Sequence, residues 1–119
     1  MRLVEPPRQR RDPSTVIRVV IFIRTDISGV NAGRHHDAIT KLCADRGYEV
    51  VEHLEGDAGR WRVPTMRVLT ACRQGNADAV ITPSADHLGD GLRAISYSAL
   101  VHTLEPEEMW DRGQRVSAS

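Results

Sequence analysis

The sequence predicts an α/β domain of three layers, in which a mostly parallel sheet of about four strands lies between helices. Three observations carry that expectation. Val16 to Ile23 is a nearly continuous β-branched run, as found in strands buried on both faces. Stretches of this kind alternate along the chain with stretches of helical spacing. Glycine and proline stand at the junctions between them, where helices end and begin.

Each element can be read in order. Residues 1–15 form a flexible lead, with Pro6, Pro7 and Pro13 and a basic run of Arg8, Arg10 and Arg11. The first strand, Val16–Ile23, opens into a polar stretch from Arg24 through Thr25, Asp26 and Ser28 to Gly29. Gly33 to Arg46 is helical, with Ala38, Ile39, Leu42 and Cys43 on one face, and Gly47 caps it. Tyr48–His53 is the second strand, and Leu54–Arg62 is a polar loop. Pro64 opens a helix carried by Met66, Val68, Leu69 and Cys72, which Gly75 closes. Ala79–Thr82 is the third strand, Pro83–Gly91 a polar loop and Leu92–Tyr97 a short helix. Ala99–Leu104 fits a fourth strand or an extension of that helix, with Pro106 as the stop. The domain is expected over residues 16–112, followed by a flexible tail at 113–119.

Composition narrows the function classes. A hydrophobic share of 40% supports one core, and an aromatic share of 4% makes that core aliphatic. The formal net charge is zero, which argues against strong non-specific nucleic-acid binding. Lys41 is the only lysine, a bias better explained by GC-rich codons than by function. Cys43 and Cys72 sit in helical apolar patterns and read as buried, reduced thiols of a cytoplasmic protein. No apolar stretch reaches membrane-span length, and Glu5-Pro6-Pro7 interrupts any signal-peptide core.

In a parallel sheet, ligands bind beyond the carboxyl ends of the strands. The loops expected there carry Arg24 and Asp26, Asp86, His87 and Asp90, and Arg60 and Arg62. Asp26, Asp86 and Asp90, with His87, offer oxygen and imidazole ligands for a divalent metal. Their spacing matches no metal motif, and a network in which Arg24 and Arg62 neutralise the aspartates ranks above it. Asp90 also stands where it would cap the following helix. Ser28–Gly33 leads into a helix N-terminus but is neither a Walker A loop nor Gly-x-Gly-x-x-Gly, so no cofactor is expected. His35 and His36 are adjacent, so at most one faces these loops and the other is solvated. Trp61 reads as a loop anchor over the core edge.

Several short motifs occur in a familiar order. They are Phe22-Ile23-Arg24-Thr25-Asp26, then Ala38-Ile39, then Arg62-Val63-Pro64 opening a helix. Gly75-Asn76-Ala77-Asp78-Ala79-Val80 and Asp86-His87-Leu88-Gly89-Asp90 follow. In this order and spacing, from about Val16 to about Ser98, the chain resembles the catalytic domain of serine recombinases of the resolvase/invertase family. The resemblance implies a resolvase catalytic-domain-like fold. It also implies a site in which a serine attacks a DNA phosphodiester while arginines neutralise the phosphate. Arg24, Arg62 and Asp86 match active-site positions of the family. The nucleophile position is Asp26, two arginine positions are His87 and Asp90, and the helix glutamine is His35. Only residues 99–119 follow the matched region, too few for the family's long dimer helix and helix-turn-helix domain.

The first expectation is therefore a catalytically inactive, recombinase-like interaction or regulatory module, linked to DNA recombination or transcription. It would form a homodimer or join a separately encoded protein, with weak or indirect DNA binding and no membrane association. The second is a strand-exchange or nuclease subunit with an altered active site. The third is a small-ligand or metal-binding domain that reuses the acidic loop cluster.

Overall fold

The computed structural model describes residues 16–117, so the lead expected at residues 1–15 lies outside the described residues. Strand β1 (Arg18–Arg24) runs into a single helical turn, α1 (Thr25–Ser28), and then helix α2 (Ala32–Arg46). Strand β2 (Glu49–Gly56), helix α3 (Pro64–Gly75) and strand β3 (Ala79–Thr82) follow. Helix α4 (Leu92–Ser98), β4 (Leu100–Leu104), β5 (Glu107–Asp111) and β6 (Gln114–Ser117) complete the order. All six strands form one mixed sheet, β2-β1-β3-β4-β5-β6. The first four are mutually parallel, and β5 and β6 are antiparallel additions.

β1 occupies the position that its sequence requires. Val19, Val20, Ile21, Phe22 and Ile23 are all buried, because β1 has a neighbour on each side and a layer on each face. Alternation divides the run between two cores. Val19, Ile21 and Ile23 pack with Ile39 and Cys43 of α2. Val20 and Phe22 pack with Val68, Ala71 and Cys72 of α3 and with Leu92 and Ile95 of α4. Right-handed crossovers explain the division. The chain leaves β1 for β2 on one side, then crosses back to β3 on the other, so α2 and α3 land on opposite faces. Cys43 and Cys72 are free and buried in these two separate cores, with burial pushing the Cys72 thiol up to about 11.

The structure corrects the expected elements in four places. The sheet has six strands rather than about four. The two extra strands are polar and lie at the sheet's edge, so no apolar run announces them. They are joined by the two-residue turn Arg112–Gly113, with φ of 50° and 83°, the positive pair of a type I′ hairpin. The tail expected from 113 thus contributes β6. Leu54–Gly56 extend β2 instead of opening a loop, and Thr25–Asn31 coil into a helical turn and a 3₁₀ turn. Residues 100–104 are a strand, and α4 closes just before it with the Ala99 N–H on the Ile95 carbonyl.

Because Ile81 is fully buried between β1 and β4, truncation there leaves a cavity that the sheet cannot close. Ile81→Ala is expected to cost about 2–5 kcal/mol. Val30→Ala, at a fully exposed position, is expected to stay within about 0.5 kcal/mol. Urea midpoints at unchanged slope measure both.

Candidate functional site

Strand order reverses beside β1: the chain runs from β1 to β2 on one side, and from β2 back across to β3 on the other. The crevice beyond the carboxyl ends of β1 and β3 is therefore the natural ligand position of this sheet. Ladder pairing between these strands ends at Ile21 and Ile81. Beyond that point, side chains take over the backbone groups. The Thr82 hydroxyl donates to the Phe22 carbonyl at 2.7 Å. The Arg24 N–H donates to Nδ1 of His87 at 2.9 Å.

His87 closes the 3₁₀ turn Ala85–His87 and is only 2% exposed. Burial drives its pKa down to about 4, and the nearby His35 and Arg24 push the same way against Asp86 and Asp26. The imidazole is accordingly neutral at pH 7, which leaves Nδ1 a lone pair with which to accept the backbone proton.

The Arg24 side chain turns to Asp26, two residues on. Its Nε and Nη2 donate to the two carboxylate oxygens at 3.1 and 2.6 Å. These hydrogen bonds hold the Asp26 carboxyl below its ordinary range. The pair is partly exposed and adds little stability. Its consequence is electrostatic, since a bidentate carboxylate uses the same guanidinium edge that a phosphate would use.

The other residues expected at the site are distributed unevenly. Asp86 and Asp90 are exposed. Asp90 does not cap α4: the capping position is Gly91, and no side chain bonds there. Its place one residue too early follows from the 3₁₀ turn Gly89–Gly91, which leads directly into the helix. Arg62 is exposed and lines an open cavity of about 570 Å³ with Arg60, Trp61, Val63, Met66 and Arg67. No carboxylate pairs with Arg62 among the described residues, so the neutralised network forms at Arg24 alone. Trp61 packs its ring 5.2 Å from that of Phe22 and anchors the loop over the core edge. Asp26, Asp86 and Asp90 do not gather into a ligand cluster among the described residues.

Two clusters form through pairings that the motifs do not announce. In the first, Nδ1 of His35 lies 2.7 Å from the Ser28 hydroxyl, and its Nε2 lies 3.2 Å from Glu105. Arg34 also grips Glu105 with two hydrogen bonds. The bonds from Arg34, and then from His35, pull the Glu105 carboxyl down to about 2. The order hydroxyl, imidazole, carboxylate is that of an activated nucleophile. Ser28, however, is only 6% exposed, and the neighbouring Gly29 N–H is already bound to the Thr25 carbonyl. The chain of bonds therefore ties α1 and α2 to the β4–β5 turn. His35 also meets the His87 ring edge-on, with centroids 6.2 Å apart.

In the second cluster, His36 and His53 both approach Glu55, from α2 and β2 respectively. His36 is thus half-buried and bonded rather than simply solvated. Burial pushes the Glu55 carboxyl up, but the two imidazole bonds outweigh it and leave the group below its ordinary value. His53 and Glu55 stand two apart on one strand, a spacing that places them on one face; the partner from α2 becomes visible only with the fold.

No family model matches the chain, and no curated protein or solved structure does.

The state of His87 sets an acid limit. Its folded pKa of about 4 lies below the ordinary 6.5, so the unfolded chain binds the extra proton first as pH falls. Its contribution is complete above pH 6.5 and is lost progressively toward pH 4, to a total of roughly 3 kcal/mol. His87→Asn keeps an acceptor for the Arg24 N–H but cannot titrate. Its unfolding free energy should be flatter than wild type between pH 6.5 and 4, measured by urea melts across that window.

Proposed function

We propose that the chain is a serine-recombinase-like domain that does not cleave DNA and acts as an interaction or regulatory module in recombination or transcription. The observation that carries this reading is the bidentate pairing of Arg24 with Asp26. In the resemblance, Arg24 would neutralise the scissile phosphate and position 26 would supply the attacking hydroxyl. Here position 26 has no hydroxyl, and its carboxylate occupies the arginine. An anionic diester approaching within 4 Å of that carboxylate would meet a repulsion of about 4 kcal/mol at an effective dielectric of 20. His87 adds to the case, because a buried neutral imidazole supplies no charge at a position where the family has an arginine. Asp90 replaces a second arginine with a negative charge.

The positive role rests on a different face. Val63 and Met66 are exposed large apolar residues beside Trp61, and Arg60, Arg62 and Arg67 surround them. An apolar floor with a cationic rim fits an acidic segment of a protein partner. Arg62 on this reading serves the partner rather than a phosphate.

The test is incubation with supercoiled DNA, with and without divalent metal. Neither nicked circles nor a covalent protein–DNA adduct is expected. Asp26→Ser is expected to remain inactive, because His87 and Asp90 still stand at arginine positions. Nicking by the wild type that Asp26→Ala abolishes would overturn the reading. Light scattering distinguishes assembly with itself from recruitment of a second protein.

A further inference from the structure

We infer that His36, His53 and Glu55 form a binding site for one divalent transition-metal ion of the zinc class. The site is independent of the reading above, since it shares no residue with the Arg24–Asp26–His87 cluster.

The fold assembles the three groups from two elements. β2 is an edge strand of the sheet. His53 and Glu55 alternate along it and face the layer occupied by α2, as their register neighbours Ile21 and Ile23 do. His36 reaches the same point from the first half of α2. Nδ1 of His36 lies 2.8 Å from Glu55 Oε1, and Nε2 of His53 lies 2.9 Å from the same oxygen. The imidazoles are stacked, with centroids 5.0 Å apart and planes 25° from parallel, so both rings are already aimed at one locus. One ligand atom from each of the three residues lies within 4.8 Å of the others. Around a tetrahedral ion with ligand bonds of about 2.1 Å, donor atoms lie roughly 3.4 Å apart. The two contacts to Glu55 therefore need to widen by about half an ångström, which small side-chain rotations supply.

The donor set selects the ion. Two imidazole nitrogens and one carboxylate oxygen suit zinc, cobalt, nickel or copper, whereas magnesium and calcium prefer all-oxygen shells. Each side chain is between 29% and 43% exposed, so an ion can enter from solvent and keep open positions for water or an anionic ligand. In the metal-free state, Glu55 accepts a hydrogen bond from each imidazole. Binding replaces both hydrogen bonds with coordination, and each ring carries its proton on the opposite nitrogen.

The test uses the full chain without an affinity tag, stripped with chelator. Calorimetric titration with Zn²⁺ should show one saturable equivalent, and Mg²⁺ at the same concentration should show none. Co²⁺ should give the intense visible bands of a low-coordinate site, bleached by Zn²⁺. His53→Ala and Glu55→Gln should each weaken Zn²⁺ binding at least tenfold, while Asp26→Ala leaves it unchanged. Imidazole nitrogen NMR of the wild type locates the ion without any variant: His36 Nδ1 and His53 Nε2 should shift on Zn²⁺ addition, with His35, His87 and His102 unmoved. Absence of saturable Zn²⁺ binding, shifts centred on other histidines, or binding that survives both substitutions would overturn the site.

Discussion

The hydrogen bond from the Arg24 main chain to the buried imidazole of His87 is the constraint on which the carboxyl edge of the sheet depends. It exists only while His87 is neutral, and burial keeps it neutral. It fixes the turn at the end of β1, and therefore where the Arg24 side chain begins. From there Asp26 is the nearest carboxylate, and the pair closes on itself. The same imidazole abuts His35, which ties Ser28 and Glu105 into the network. One buried neutral ring thus links the first strand to the loops after the third and fourth.

A phosphoryl-transfer site needs positive charge that is placed but unspent, ready for charge that develops in the reaction. At this edge Arg24 is bound by Asp26 and Arg34 by Glu105, and further from it Arg67 of α3 is bound by Glu52 in the middle of β2. Arg62 has no such partner among the described residues, yet it lines the cavity around Trp61 rather than joining the Arg24 cluster. Charge balance in the composition is therefore repeated locally, by pairing. This is why a net charge of zero and a neutralised crevice belong to the same account.

The parallel half of the fold was legible because β1 is apolar on both faces and because Gly47, Pro64 and Gly75 stand at helix ends. The antiparallel half was not. β5 and β6 owe their place to pairing with β4 and to a turn that puts Arg112 at positive φ, where Asn or Asp would have been the recognisable signal. Pairing of Arg24 with Asp26 was readable from two residues of separation. Partners 63 to 71 residues apart were not, since His87, His35 and Glu105 meet only through the sheet order. Asp90 shows the opposite case: a good capping residue one position before the cap.

The central claim is that Asp26 occupies the guanidinium of Arg24. The most direct measurement follows the Arg24 Nε–H resonance while inorganic phosphate, and then a duplex oligonucleotide, is titrated into the protein. The resonance should stay in place in the wild type and move saturably in Asp26→Ser, where the guanidinium is released. A wild-type Arg24 resonance that moves saturably with either ligand would contradict the account.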